Sequence, residues 1–143
     1  EKINRDAERK GPASPSAKFK QTFIKFLCFQ SSMQLKNKTT SKTISKEVIL
    51  ATSFFSQGLG LMFHKKANLI MHFKTERTIS LHNFFVFYPL EILILNENKE
   101  VIEIKESFKP FTFYTAKNKG TYCIELGIKK SKGKCRLGDV LEF

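Results

Sequence analysis

Residues 79–95 read ISLHNFFVFYPLEILIL and contain the longest apolar run of the chain. Within residues 79–88 both alternating faces are mostly apolar, which is typical of a central strand buried on its two sides. Pro89 has no N–H to donate to a strand ladder, so we expect a bend or bulge at that residue. Residues 90–95, LEILIL, then predict a second buried strand.

Further strands flank this run. The turn-forming NENK at residues 96–99 leads into the alternating residues 100–105, which predicts an antiparallel hairpin with residues 90–95. Four more short runs have strand character, namely residues 47–51, 69–73, 121–126 and 140–143. Ser53 is placed to cap one short helix over about residues 53–62. The sequence therefore predicts a mainly β fold: a small antiparallel β-sandwich or a partly open barrel with that one short helix.

Composition divides the chain into a tail and a core. Residues 1–18 are polar, and residues 19–29, FKQTFIKFLCF, lack the uninterrupted apolar stretch of a signal peptide because Lys25 interrupts them. We predict that residues 1–32 are a disordered or non-native extension and that residues 33–143 form a single β-domain. No run approaches about eighteen uncharged apolar residues, so we expect no transmembrane helix and a cytoplasmic protein.

The chain carries 25 Lys and Arg residues against 13 Asp and Glu residues, a formal charge of +12 at pH 7. Such an excess suits non-specific binding to nucleic acid or anionic lipid through the release of counterions. The densest cluster is a candidate contact for an anion or a nucleic acid and comprises Lys129, Lys130, Lys132, Lys134 and Arg136. The alternative is a solvated loop whose charges only keep the protein in solution.

The sequence contains none of the common cofactor motifs: no Walker phosphate loop, no dinucleotide-binding glycine pattern, no paired-histidine zinc motif and no CxxC. We therefore predict no cofactor and no bound metal. One metal alternative stays open, because His72, His82 and Glu91 are formally a two-histidine, one-carboxylate set. The competing interpretation makes His82 a core histidine with a backbone or carboxylate partner and Glu91 a structural acceptor near the Pro89 bend.

The many aromatic residues can be interpreted in two ways, as core residues or as exposed rings that stack on bases. Phe outnumbers Tyr by 15 to 3 and Trp is absent, and Phe is mostly core material. If exposed, such rings interleaved with basic residues would suit single-stranded nucleic acid. The rings in question are Phe84, Phe85, Phe87, Tyr88, Phe108, Phe111, Phe113 and Tyr114.

Four stretches resemble a known family. They are GLMF (60–63), LHNFFVFYPLE (81–91), VIEI (101–104), and YCIEL (122–126) followed by GDVL (138–141). In this order they resemble the small prokaryotic domain of unknown function 192, especially its archaeal members, over residues 33–143. The resemblance implies a β-sandwich-like fold and no activity, since the family has no established biochemical function. Gln57 and Glu91 depart from it, because the family usually has Arg and Asp there.

Together these observations favour a non-enzymatic β-domain that binds a small ligand or another protein. The candidate ligand site groups residues of the family-like stretches, namely Gly60, Met62, His82, Asn83 and Glu91. The first alternative is a nucleic-acid-binding module that uses the basic loop after residue 128. A less favoured alternative is a metal-dependent enzyme at His82 and Glu91. The sequence identifies no specific partner and no catalytic residue.

Overall fold

The computed structural model describes residues 32–51, 68–84 and 86–143. Within these ranges the chain forms seven strands and no helix, so no helical segment there could cross a bilayer. The strands are β1 Ser32–Asn37, β2 Lys42–Ala51, β3 Leu69–His82, β4 Leu90–Leu95, β5 Val101–Phe108, β6 Phe113–Gly127 and β7 Leu141–Glu142. The mainly β fold class is confirmed. The predicted helix over residues 53–62 lies outside the described residues, as does the predicted extension except for Ser32, which begins β1.

The seven strands belong to one sheet in the order β5-β4-β6-β3-β2-β1-β7. The β4–β5 pair is the hairpin expected from the sequence, with Leu93 opposite Ile104. The sheet is mixed rather than entirely antiparallel, because β2 and β3 run parallel with Leu50 opposite Ile70. Residues 52–68 connect these two strands, and a parallel pair needs a connection of about a dozen residues or more. Alternation along a strand reveals its buried face but not the direction of its neighbour.

Strand β4 lies within the hydrophobic core, with each of its residues buried. Successive side chains point to opposite faces of a strand. Leu90, Ile92 and Ile94 join one group of buried residues, the first core cluster. Leu93 and Leu95 join a second core cluster on the other face. Both faces are apolar, as LEILIL predicts, and burying one Leu or Ile side chain stabilises a fold by about 1.5–3 kcal/mol.

The sequence predicts one buried strand over residues 79–88, but β3 ends at His82. Beyond this residue, the N–H of Asn83 donates to the Thr112 carbonyl, and the Asn83 carbonyl accepts a hydrogen bond from the N–H of Phe111. Contacts with the turn between β5 and β6 therefore replace the continuing ladder. Val86 and Tyr88 of the run pack with the first core cluster, whereas Phe87 is exposed, so the run is not one continuous buried strand.

Strands β3 and β6 are long, and their ladder becomes irregular after His72. The halves beyond this point, residues 77–82 and 113–120, form a two-stranded segment that we call the β3–β6 ribbon. Ile79 and Ala116 of the ribbon pack into the first core cluster together with residues of β4 and β5. The ribbon therefore folds back over the face of the β4–β5 hairpin.

Gly120 marks the place where β6 passes close to β4. A Cβ added at Gly120 would lie 2.5 Å from Cγ2 of Ile94 and 3.0 Å from the carbonyl oxygen of Leu95. A side chain would have to displace backbone as well as Ile94, so only glycine allows this close approach.

The two edges of the sheet meet through β7. Leu141 of β7 lies opposite Asn37 of β1, while Glu100, next to β5, forms an isolated bridge with Val140. Leu141 is also buried in the second core cluster. Lys99 and Val101 also form backbone hydrogen bonds with residues 138–141, so the two edges of the open mixed sheet approach each other beside β7.

Candidate functional site

The loop of residues 128–138, which follows β6, carries the five basic residues of the predicted cluster, and all five are exposed. The β1–β2 turn, residues 38–41, lies against this loop, since Nζ of Lys42 donates to the Gly133 carbonyl at 3.0 Å. The turn and its flank add two exposed lysines that the sequence did not connect with the cluster. We call the combined set the basic surface: Lys38, Lys42, Lys129, Lys130, Lys132, Lys134 and Arg136.

Asn37 joins the turn to the loop. Its side chain is fully buried, and Nδ2 donates to the Lys134 carbonyl and to Oδ2 of Asp139, both at 2.7 Å. Oδ1 of Asn37 accepts the N–H of Thr40 at 3.1 Å, and Oδ2 of Asp139 also accepts the N–H of Arg136 at 2.8 Å. The backbone under the basic surface is therefore held in one arrangement before any partner binds.

Glu91 anchors the first half of the same loop. It is 3% exposed, and alternation along β4 directs its side chain to the face of Leu93. The carboxylate accepts the N–H of Ser131 at 3.0 Å and also the Ser131 hydroxyl. The Ser131 carbonyl accepts the N–H groups of Lys134 and Cys135. A buried carboxylate requires such donors, so Glu91 serves here as an acceptor that shapes the loop.

The cysteines of the described residues lack the character of nucleophiles. Burial, followed by the carboxylates of Asp139 and Glu91, raises the pKa of the Cys135 thiol to about 11. Burial also raises the pKa of Cys123 well above its ordinary value. Both groups are therefore protonated thiols at neutral pH, whereas a nucleophilic cysteine reacts as the thiolate.

A second exposed feature is an aromatic patch, defined as Phe84, Phe87, Phe111 and Phe113. Three of these side chains are largely exposed: Phe87 by 74%, Phe111 by 57% and Phe113 by 75%. The ring centre of Phe84 lies 5.1 Å from that of Phe113 and 5.4 Å from that of His82. Phe87 and Phe111 are 5.8 Å apart. Phe84 and Phe111, with ring centres 6.4 Å apart, join these pairs, so the four rings form one connected surface.

Asn83 holds the backbone beneath the aromatic patch. It is 1% exposed, and its Nδ2 donates to the Phe108 carbonyl at 3.1 Å. Its own N–H and carbonyl bond to Thr112 and Phe111 across the turn. Phe111 has a φ of 58°, a backbone conformation that is a genuine outlier for a bulky residue. Among the residues that the structure describes, Oδ1 of Asn83 is buried and has no hydrogen-bond partner, so this turn is held in a conformation that costs free energy.

The start of β4 relates the aromatic patch to the first lysines of the basic surface. Leu90 lies opposite Gly127, the last residue of β6. The N–H of Lys130 donates to the Gly127 carbonyl at 3.3 Å, and the Lys130 side chain covers this glycine. Phe87 is three residues before Leu90, within about 11 Å along even a fully extended chain. Phe87 and Lys130 therefore lie at the same end of β4.

The predicted ligand group is dispersed among these features. His82 and Asn83 lie together beside the aromatic patch, and His82 is exposed rather than a core histidine. Glu91 is bonded to Ser131 beneath the basic surface. Gly60 and Met62 lie outside the described residues.

The predicted metal alternative requires His72, His82 and Glu91 to lie close together. Across residues 32–51, 68–84 and 86–143, no three His, Cys, Asp or Glu side chains stand close enough to hold a metal ion. The ring of His72 stacks on Tyr122 with centres 4.6 Å apart, whereas the ring of His82 lies at a tilt of 37° to Phe84.

A comparison with protein families identifies the chain. The model of the domain of unknown function 192 (DUF192), described as an uncharacterised ACR, matches residues 33–143. The chain belongs to this family. A UPF0127 protein of Pyrococcus furiosus is 34% identical to this DUF192 chain over 92 residues, which make up 62% of the chain and 78% of the relative. The resemblance inferred from the sequence, with its archaeal character, is confirmed.

Two solved structures share the fold of this DUF192 chain. A protein of unknown function from Novosphingobium aromaticivorans has a TM-score of 0.72 at 17% identity, with 100% of both chains covered. A protein described as a putative transcription regulator from Sinorhizobium meliloti has a TM-score of 0.67 at 21% identity, with 76% of this chain and 89% of that chain covered. At such identities the likeness concerns the fold alone.

Proposed function

We propose that this DUF192 protein is a non-enzymatic binding module that holds nucleic acid through the basic surface. One observation carries the proposal: Asn37 fastens the β1–β2 turn to the loop of residues 128–138, so that seven exposed cations lie on one preformed scaffold. A partner with regularly spaced phosphates matches such a surface, because each lysine that meets a phosphate releases a counterion.

The composition of the basic surface suggests what it recognises. Six of its seven cations are lysines, and lysine acts as a hydrated point charge, whereas arginine offers the planar fork that pairs with guanine edges. We infer contacts to phosphates with little dependence on base sequence. The proposal rests on these residues and not on the description of the Sinorhizobium protein, since that likeness concerns only the fold.

The predicted ligand group plays a different part in this proposal. Glu91 contributes by shaping the loop through Ser131, and the cations bind. His82 and Asn83 lie beside the aromatic patch. The proposal therefore keeps the non-enzymatic binding module that the sequence favours. It places the main binding contact at the basic surface, which the sequence offered as the first alternative, and not at the predicted ligand group.

Fluorescence anisotropy with a labelled 20-nucleotide single strand and a 20-base-pair duplex, both of mixed sequence, tests the proposal. We expect the affinity of the full chain to fall steeply between about 50 and 200 mM salt. Replacing three cations from both segments (Lys38→Gln, Lys132→Gln and Lys134→Gln, the basic-surface variant) is expected to reduce the slope of log K against log salt by about 2 for the single strand.

The matched control removes the same number of charges elsewhere. Lys74, Lys117 and Lys119 are exposed on or near the β3–β6 ribbon, and their replacement by Gln gives the control-charge variant. We expect this variant to retain most of the wild-type affinity. A wild type that binds neither oligonucleotide at 50 mM salt, or two variants with equal losses, would refute the basic surface as the binding site.

A further inference from the structure

The aromatic patch exposes rings that a folded chain would ordinarily bury. Phe87 and Phe113 are about three-quarters exposed, and Phe111 more than half. An aromatic side chain buries about 150–250 Å² when it is fully enclosed, and most of this area is still in contact with water at Phe87 and Phe113. A contiguous apolar cluster on a surface commonly marks a place of contact with a partner.

Neighbouring residues hold the backbone of the aromatic patch in a fixed conformation. Asn83 fixes both sides of the turn that carries Phe111, and Phe111 adopts a positive φ that aromatic residues avoid. Strained backbone of this kind persists only where neighbouring contacts enforce it, and it concentrates at ligand-binding sites. The rings also hold one another at edge and tilted angles, which leaves ring faces open to solvent.

The lysines near the aromatic patch indicate that its partner carries negative charge. Lys130 bonds to Gly127 opposite Leu90, and the turn that carries Phe111 follows Phe108, which also lies opposite Leu90. The start of the basic loop and the aromatic patch are therefore at the same end of β4, and a phosphate backbone that leaves Lys130 along this end would lead toward the rings. Bases of a duplex are paired and stacked inside the helix, whereas bases of a single strand are free to stack on such rings.

We propose that the aromatic patch stacks unpaired bases, so that the nucleic acid held by the basic surface is single-stranded. This inference rests on the proposed function and adds the substrate class. Base stacking on aromatic side chains tolerates any sequence, because every base has a flat face, which agrees with the lysine-rich character of the adjoining surface. Phe87 and Phe113 are the rings with the most exposed area for such contacts.

Two double variants separate stacking from simple apolar contact. The leucine variant (Phe87→Leu and Phe113→Leu) keeps an apolar side chain without a ring, and the tyrosine variant (Phe87→Tyr and Phe113→Tyr) keeps the ring. Because both positions are exposed, we expect both variants to fold, which circular dichroism and thermal unfolding would verify. Each is titrated with the 20-nucleotide single strand and the 20-base-pair duplex at 50 mM salt.

We expect the wild type to prefer the single strand over the duplex. The leucine variant should lose about tenfold or more in affinity for the single strand and little for the duplex, while the tyrosine variant should resemble the wild type. An unchanged single-strand affinity in the leucine variant would overturn the inference, and the basic surface would still be tested by its own variants. Binding of neither strand by the wild type would refute both proposals.

A lipid surface is the competing partner for exposed phenylalanines beside lysines. Vesicles of phosphatidylserine and phosphatidylcholine test it by co-sedimentation with the wild type and with a Phe87→Ser/Phe113→Ser variant. Sedimentation that is lost in the serine variant, combined with an undiminished affinity of that variant for the single strand, would overturn the inference in favour of a membrane contact.

Discussion

Ser131 supplies both hydrogen-bond donors to the Glu91 carboxylate, namely its N–H and its hydroxyl. These two bonds fix the path of the loop of residues 128–138. A buried hydrogen bond to a charged group contributes more than one between neutral groups, about 1.5–3 kcal/mol. Asn37 and Asn83 act in the same manner at the other junctions, each as a buried amide that bonds to backbone distant in sequence. Single buried polar residues thus hold each exposed surface in place.

Ser131→Ala tests this role of Glu91. Removal of the hydroxyl leaves one oxygen of a buried carboxylate without its donor, so we expect a loss of about 1–3 kcal/mol in the free energy of unfolding. Urea denaturation followed by circular dichroism measures it. Ser107→Ala is the matched control at an exposed position of β5, with an expected change within about 0.5 kcal/mol. Equal effects of the two substitutions would contradict the assignment.

At the scale of elements, the β3–β6 ribbon depends on one carboxylate of β5. Glu103 accepts the hydroxyl of Tyr114 and the N–H groups of Lys117 and Asn118, the latter two at 2.9 and 3.0 Å to Oε2. Burial tends to raise the pKa of Glu103, but hydrogen bonds from Tyr114, Asn118 and Lys117 outweigh it, so that the pKa lies below its ordinary value. The charged carboxylate therefore fastens the ribbon to the β4–β5 hairpin.

The direction of this shift predicts a pH dependence. Since the pKa of Glu103 is lower in the folded state, its contribution is present above the unfolded pKa of about 4.3 and is lost as the pH falls through the folded value. Glu103→Gln resembles the protonated form and should cost about 1 kcal/mol at pH 7, because the site is partly solvated and each bond is worth about that much.

Thermal unfolding at pH 7 and pH 3 measures this cost. We expect the difference in Tm between the wild type and Glu103→Gln to be about 4 °C at pH 7 and to shrink at pH 3. Glu106→Gln, an exposed position on the same strand, controls for the loss of a charge in this basic chain. A difference that is the same at both pH values would show that Glu103 does not fasten the ribbon as a carboxylate.

For the whole molecule, the formal charge of +12 acts on stability and on binding in opposite directions. Like charges destabilise a compact state through self-repulsion, and salt screens them, since the Debye length falls from about 30 Å at 0.01 M to about 10 Å at 0.1 M. We expect Tm to rise over this range of NaCl while affinity for nucleic acid falls.

Thermal unfolding across the same salt series tests the effect on stability. The control-charge variant carries three fewer cations, so its Tm at 0.01 M should exceed that of the wild type and should rise less with salt. A wild-type Tm that falls with added NaCl would mean that attractive ion pairs, not self-repulsion, dominate the electrostatics of the folded chain.

Local patterns in the sequence were sufficient for several features. The run LEILIL predicts a strand buried on both faces, and NENK predicts the β4–β5 hairpin, since alternation and turn residues act over a few neighbouring positions. The basic cluster is apparent as well, because its five members fall within the eight residues 129–136. The mainly β class and the family followed from the same short stretches.

The remaining features required contacts between distant residues. Asn37 and Lys134 are 97 positions apart, and no local pattern shows that the β1–β2 turn completes the basic surface. The parallel β2–β3 pair, the fold-back of the ribbon at Gly120 and the end of β3 at His82 likewise depend on which segments pack together. Side-chain periodicity reports the burial of a residue, whereas hydrogen-bond partners across the sheet are selected only when the whole core assembles. The exposure of Phe87 and Phe113 is also decided by the tertiary structure. Their sequence alone predicts buried residues, because Phe is mostly found in protein cores.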